Sequence, residues 1–150
     1  MDELRREILA EKEHISRTLR AMQEALARRE RTIVELAAIA TFLQNIYSGI
    51  ENILKRVLKS RHISLPVAGS SHKDLLELSV DSGIVSPQLS EALDEYRAFR
   101  HFCVHGYGIM LDEAKLIPLA DKLPGMWERF ESELETLLQP DGGRGNESDD

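Results

Sequence analysis

The chain has 150 residues, of which 42% are hydrophobic and 30% charged, as in an ordinary soluble globular protein of one domain. A net charge of −7 argues against a protein that coats itself in nucleic acid, and the acidity is concentrated in residues 111–150, with four basic and eleven acidic side chains. A single cysteine, Cys103, excludes an internal disulfide and favours a cytoplasmic protein, and neither a secretion signal nor an apolar run of the ~20 residues needed to span a membrane is recognisable.

Two long helices are predicted at the start of the chain. Residues 2–29 carry a narrow apolar stripe on a highly charged helix, at Leu4, Ile8, Ile15, Leu19, Met22 and Leu26. Residues 31–60 carry a wider stripe with steps of three and four, at Leu36, Ile39, Ala40, Leu43, Ile46, Tyr47, Ile50, Ile53, Leu54 and Val57. The wider face predicts that the second helix lies at the centre of a helical bundle, with Tyr47 in its core.

The second predicted helix ends in a basic cluster, formed by Lys55, Arg56, Lys59, Arg61 and His62. Two interpretations remain open. Cations in the last turn of a helix stabilise it through the helix dipole. The same cations could instead contact RNA phosphates.

Shorter helices follow a loop over residues 61–71. The pattern predicts a helix over 72–82 that ends at Gly83, and Ser71 with Asp74 resembles a capping box. Ser86 and Pro87 then suit the N-cap and first turn of a helix that runs to about Cys103.

Gly106 and Gly108 predict a break after this helix. A short helix around 111–117 is expected next, and Asp121 and Pro124 are expected to begin a separate last helix that buries Trp127. The Gly-rich, acidic segment from Pro140 onward predicts disorder. We therefore expect an all-α antiparallel bundle over residues 1–139 and a disordered acidic tail over 140–150.

The segment richest in functional groups is Tyr96-Arg-Ala-Phe-Arg-His-Phe-Cys-Val-His-Gly-Tyr-Gly108. Arg100 and His105 are five residues apart, so on an ideal helix they would lie about 140° apart around the axis. They can converge only where the helix ends or bends between them, or where a second chain completes the site. An arginine can bind phosphate oxygens, a histidine can transfer protons near neutral pH, and a tyrosine hydroxyl can add a hydrogen bond. Together these groups suffice to cleave RNA through its own 2′-hydroxyl without a metal.

The spacing Arg100-x4-His105-x-Tyr107 resembles the motif of HepT-like RNase toxins in the HEPN superfamily, in which a polar residue such as His101 often follows the arginine. The stretches Tyr47-Ser-Gly-Ile-Glu-Asn-Ile-Leu, Leu116-Ile-Pro-Leu and Trp127-Glu-Arg-Phe are also similar to this family. The resemblance covers residues 31–138.

The resemblance implies a homodimer whose two motifs meet in a cleft between subunits. It implies the toxin of a type VII-like toxin–antitoxin system, a metal-independent endoribonuclease that cleaves messenger or transfer RNA without a cofactor. Arg100, His105 and Tyr107 would be catalytic, and Arg97 and His101 would bind RNA. The cognate antitoxin would be a minimal nucleotidyltransferase that silences the toxin by adding AMP to Tyr107. The resemblance leaves the first helix without an assigned role.

Several alternatives remain open at the level of sequence. His101 and His105 are four residues apart and could share a metal, but no cysteine or acid at matching spacing completes a set. Glu51 could pair with a motif arginine or face solvent. The whole chain could also be a catalytically idle HEPN scaffold that binds a nucleotidyltransferase partner or a nucleotide, although the intact Arg100, His105 and Tyr107 favour the nuclease.

Overall fold

A computed structural model describes residues 2–66, 71–104 and 112–139, with the backbone alone at 71–73, and within these ranges it contains helices and no strand. Five helices are described: α1 Asp2–Leu26, α2 Ile33–Ser60, α3 Ser71–Asp81, α4 Pro87–Val104 and α5 Glu113–Leu137. The all-α prediction is therefore confirmed. The predicted acidic tail over 140–150 lies outside the described residues.

Contacts between the helices show the relative direction of three helix pairs. Glu7 of α1 pairs with Arg56 of α2, and Ile15 lies against Gly49. Residues later in α1 therefore contact residues earlier in α2. Lys12 of α1 pairs with Glu131 of α5 at 3.3 Å, and Arg5 donates to the Leu138 carbonyl at 2.7 Å. Between α4 and α5, Glu95 binds Lys122 at 3.2 Å and Ser86 binds Glu133. Each of these pairs is antiparallel.

The helix α2 is the core element, as its wide apolar face predicts. It contacts all four other helices, and every residue of its predicted stripe is buried. An 18-residue window of α2 has a mean hydropathy of 1.4, which by length and composition alone would also suit a membrane span. Packing against four helices accounts for this apolar character, because the core helix of a bundle needs the same composition.

Local signals explain most of the helix ends. The Thr32 hydroxyl accepts a hydrogen bond from the Val34 amide at 3.2 Å, and Glu35 accepts one from the Thr32 amide at 2.8 Å. This capping box begins α2 at residue 33 and not at 31. Gly83 adopts φ +72°, the left-handed conformation expected just after a helix. Ser86 caps α4, since its hydroxyl accepts from the Leu89 amide at 3.1 Å.

The prediction of two separate helices after residue 110 is wrong. A single helix, α5, runs from Glu113 to Leu137 with Pro118 and Pro124 in its interior. An interior proline costs about 3 kcal/mol, whereas each fully buried large apolar side chain contributes roughly 1.5–3 kcal/mol. The buried face of α5 carries seven residues: Leu116, Ala120, Leu123, Met126, Trp127, Phe130 and Leu134. Burial of this face outweighs both prolines, and Trp127 is a core residue as predicted.

Candidate active site

The C-terminal half of α4 presents the basic side chains that the motif singles out. Arg97 and Arg100 are half-buried, and His101 is exposed in the last turn. A cation at this position also interacts favourably with the negative end of the helix dipole. Within the described residues α4 extends to Val104. His105 and Tyr107 themselves lie outside the described residues.

A buried carboxylate lies behind this part of α4. Glu51 on α2 is only 3% exposed, so the solvent-facing alternative for this residue is wrong. Tyr47, one turn earlier on the same face of α2, is fully buried. Its hydroxyl makes no well-formed hydrogen bond to the described residues. Burial raises the pKa of Tyr47 strongly, and the negative charge of nearby Glu51 raises it further, so the phenol stays protonated at neutral pH.

Arg97 of α4 is paired with an acid on its own helix. Its Nε donates to Asp94 Oδ1, three residues earlier, at 2.5 Å. The hydrogen bond to Asp94 is the largest of the effects that raise the pKa of Arg97; burial opposes it, and the negative charges of Asp94 and Glu51 add to it. Arg97 is thus a permanently charged guanidinium held by an acid on its own helix and attracted by a buried acid on α2.

Apolar side chains flank the basic ones at the end of α4. Phe99 and Phe102 form a tilted ring pair with centroids 6.4 Å apart. Phe102 and Val104 are exposed, the latter by 62%. Cys103 is half-buried, and burial raises the pKa of its thiol. A thiol with a raised pKa is protonated at neutral pH, so Cys103 is a poor nucleophile and a poor thiolate ligand.

Two members of the basic cluster at the end of α2 are bound to neighbouring elements. Arg56 pairs with Glu7 and Glu11 of α1, and Arg61 donates to the Ser82 carbonyl at 3.3 Å. These partners favour the interpretation of the cluster as a helix end that is tied to neighbouring elements.

No group of three metal-binding side chains occurs within the described parts of the chain. The second histidine of the His101–His105 pair lies outside them. Sequence reasoning left the burial of Glu51 open and missed the pairing of Asp94 with Arg97. The spacing of Asp94 and Arg97, i to i+3 on a helix, is a signal that could have indicated the ion pair.

Comparison with known proteins supplies a family. A family model described as HepT-like protein matches residues 38–140, a stretch that includes most of α2, all of α3 to α5 and the Arg100-x4-His105-x-Tyr107 motif. The match begins after α1. Searches of curated proteins and of solved structures found no match.

Proposed function

Since the chain belongs to the HepT-like family of the HEPN superfamily, whose members are generally RNase-like toxins, we propose that it is a metal-independent endoribonuclease and the toxin of a type VII-like toxin–antitoxin pair. The observation that carries this proposal is the presence of Arg100-x4-His105-x-Tyr107 inside the matched range. The half-buried Arg100 and the exposed His101, in the last described turns of α4, support it.

The proposed chemistry uses the RNA's own 2′-hydroxyl. His105 accepts the proton of this hydroxyl while its oxygen attacks the adjacent phosphorus. Arg100 binds the non-bridging oxygens, which gain negative charge in the pentacoordinate state. The bond from phosphorus to the 5′-oxygen then breaks, and that oxygen leaves with the proton that His105 had accepted. The products are a 2′,3′-cyclic phosphate and a 5′-hydroxyl, and Tyr107 adds a hydrogen bond to the reacting phosphate.

Arg97 and His101 are proposed to bind the RNA backbone on either side of the cleaved bond. His101 is exposed, and 24% of the Arg97 side chain is accessible to solvent. The protein as a whole is acidic. Local cations of this kind are therefore needed for a polyanion to bind, and the binding should weaken as salt rises.

Control of the toxin is proposed to act on Tyr107. A minimal nucleotidyltransferase antitoxin would add AMP to its hydroxyl, which brings a phosphate and a bulky nucleoside into the site and occupies the arginines meant for RNA. The proposed active form is a cytoplasmic homodimer in which two motifs face each other across a cleft.

The decisive experiment is expression of the chain alone in a bacterial host. Wild type should arrest growth, and His105→Ala should abolish the arrest. His14→Ala is the matched control, because His14 is exposed on α1, away from α4, and this variant should remain toxic. If all three proteins are equally harmless, the catalytically idle scaffold becomes the better description.

The reaction itself can be tested with purified protein and labelled RNA. Products should carry 2′,3′-cyclic phosphate ends, a substrate with 2′-deoxyribose at the cleaved position should be inert, and EDTA should leave the rate unchanged. Loss of activity with EDTA and its recovery with added metal would contradict a metal-independent mechanism. With ATP and the cognate transferase, wild type should gain the mass of AMP and Tyr107→Phe should not.

A further inference from the structure

The connection between α1 and α2 is basic and has no part in the chemistry described above. Residues 27–32 contain Arg28, Arg29 and Arg31 against one acid, Glu30. Arg28 and Arg29 are exposed, whereas Arg31 is half-buried. The family model begins after this connection, so the resemblance assigns nothing to it. Exposed guanidiniums are well suited to bind phosphate oxygens.

Arg31 fixes the place of this connection in the bundle. Its Nη1 donates to the Leu26 carbonyl, at the end of α1, at 3.1 Å. Its Nε donates to Glu113 Oε1, at the beginning of α5, at 3.2 Å. Both contacts engage the guanidinium, so Arg31 holds the connection against α5 and leaves Arg28 and Arg29 as the cations that can meet a ligand.

The same end of the bundle carries the cations of α4. The helices α1 and α4 both run antiparallel to α5, so the last turns of both lie where α5 begins. Tyr96 donates to the Leu119 carbonyl at 2.8 Å, which sets the level of α4 against α5. At about 1.5 Å per residue, Arg100 lies roughly 6 Å beyond Tyr96, and Glu113 lies roughly 9 Å beyond Leu119 in the same direction. Arg100 and the α1–α2 connection are therefore within about one helical turn of each other along the bundle axis.

The distance across the bundle is one that an RNA strand can span. The helices α1 and α4 each pack against both α2 and α5. Because packed helices have axes about 8–10 Å apart, the axes of α1 and α4 are at most about 20 Å apart. A stacked strand advances about 3.4 Å per nucleotide, so roughly six nucleotides cover this distance.

Two acids at this end of the bundle are bound to protein groups. Glu113 pairs with Arg31 at 3.2 Å, and Glu35 accepts hydrogen bonds from the amide and the hydroxyl of Thr32. These partners offset part of their negative charge and reduce their repulsion of a phosphate. The connection therefore keeps a local excess of positive charge on a protein that is acidic as a whole.

We propose that Arg28 and Arg29 form a second RNA-phosphate contact, at the end of the bundle that carries Arg100 and His101, and that a strand of sufficient length reaches from the motif to the α1–α2 connection. This inference rests on the proposed RNase function. It gives α1, which the resemblance leaves without an assigned role, the task of presenting this contact.

The test removes both cations and compares a matched pair elsewhere on α1. The variants Arg28→Gln/Arg29→Gln and Arg6→Gln/Arg17→Gln each lose two exposed arginines. They therefore have the same net charge, and glutamine and arginine have similar helix propensities. Arg6 lies at the opposite end of α1, and Arg17 lies about 17 Å before Arg28 at the helical rise per residue. Urea unfolding should give the wild-type midpoint for both variants.

The salt dependence of RNA binding is the discriminating readout. For a single strand, each phosphate contact contributes about 0.7 to the slope of log K against log salt. The ligand is a 2′-O-methyl RNA of about ten nucleotides, which resists cleavage and is long enough to reach the connection. Arg28→Gln/Arg29→Gln should lower the magnitude of this slope by about 1.4, and Arg6→Gln/Arg17→Gln should leave it unchanged.

Cleavage kinetics should depend on the length of the substrate in the same way. With a cleavable RNA of about ten nucleotides, Arg28→Gln/Arg29→Gln should raise KM roughly fivefold and leave kcat within about twofold. With a substrate of about three nucleotides, which is too short to reach the connection, this variant and wild type should have equal KM values.

An unchanged salt slope in Arg28→Gln/Arg29→Gln, or an equal loss of slope in Arg6→Gln/Arg17→Gln, would overturn the proposal. The same measurements separate this failure from a failure of the proposed function. A chain that binds RNA with the expected difference in slope but does not cleave it would refute the RNase proposal and leave the second contact standing. A chain that cleaves RNA without that difference would refute the second contact alone.

Discussion

Replacement of Gly49 by alanine should destabilise this protein, and the same replacement should stabilise it once Ile15 has been shortened. Gly49 lies where α1 crosses α2. A Cβ at this position would lie 2.8 Å from Ile15 Cγ1 and 2.9 Å from Ile15 Cδ1. Carbon atoms prefer separations of about 3.5–4.0 Å. Ile15 is fully buried, so the isoleucine has little room to retreat.

Two opposing effects set the magnitude of the Gly49→Ala change. Alanine is better than glycine in a helix interior by about 1 kcal/mol. Overpacking a core typically costs about 1–3 kcal/mol. In the wild-type background the steric overlap should therefore outweigh the better helix propensity of alanine, and the unfolding free energy should fall by up to about 2 kcal/mol. The Ile15→Ala variant should itself lose about 2–5 kcal/mol of unfolding free energy. Because both overlapping atoms are absent in that background, Gly49→Ala should raise its unfolding free energy by about 1 kcal/mol.

Urea unfolding of the four proteins in this cycle measures the effect. The buried Trp127 provides a fluorescence signal for the core, and far-UV circular dichroism reports the helices; coincident transitions would justify a two-state treatment. A reversal of sign between the two backgrounds is the expected result. Stabilisation by Gly49→Ala in both backgrounds would mean that α1 and α2 are not in close contact at Gly49.

Three further predictions concern single contacts. Ser86→Ala should lower the unfolding free energy by about 1–2 kcal/mol, and adding Glu133→Gln should cause less than the sum of the two losses, because the residues share hydrogen bonds; strict additivity would contradict this. Tyr96→Phe should cost about 1 kcal/mol in urea unfolding, since the phenol donates to a carbonyl of α5 at 2.8 Å; an unchanged midpoint would refute it. Hydrogen bonds from Thr32 lower the pKa of Glu35 from its ordinary 4.5, so the stabilisation by this carboxylate is complete above that pH and is lost as the pH falls through the lowered value. NMR titration should show this pKa rising toward 4.5 in Thr32→Val; an unmoved value would exclude Thr32 as the cause.

Much of the fold could be predicted from local patterns. The stripes along α1 and α2 identify their buried faces because helical periodicity brings residues three and four apart onto one side. Gly83 and Ser86 mark the end of α3 and the beginning of α4 through their own backbone chemistry. The resemblance to the HepT-like family, now shown by the match over residues 38–140, rested on residues that are close together in the chain. The roles of the motif residues stay predictions, as do the dimer and the antitoxin.

Other features depended on which helices pack together, and local patterns do not contain that information. Pro118 and Pro124 predict a broken helix, yet α5 is continuous because its buried face gains more from packing than the prolines lose. From local patterns Glu51 could be either a solvated or a paired acid, and only the packing of the other helices on α2 decides that it is buried. The sequence by itself thus determined the helical faces, the caps and the family motif, which depend on residues within a few positions of each other. The tertiary structure alone decided the continuity of α5 and the surroundings of Glu51, because the free energy of burial depends on partners that are distant in the chain.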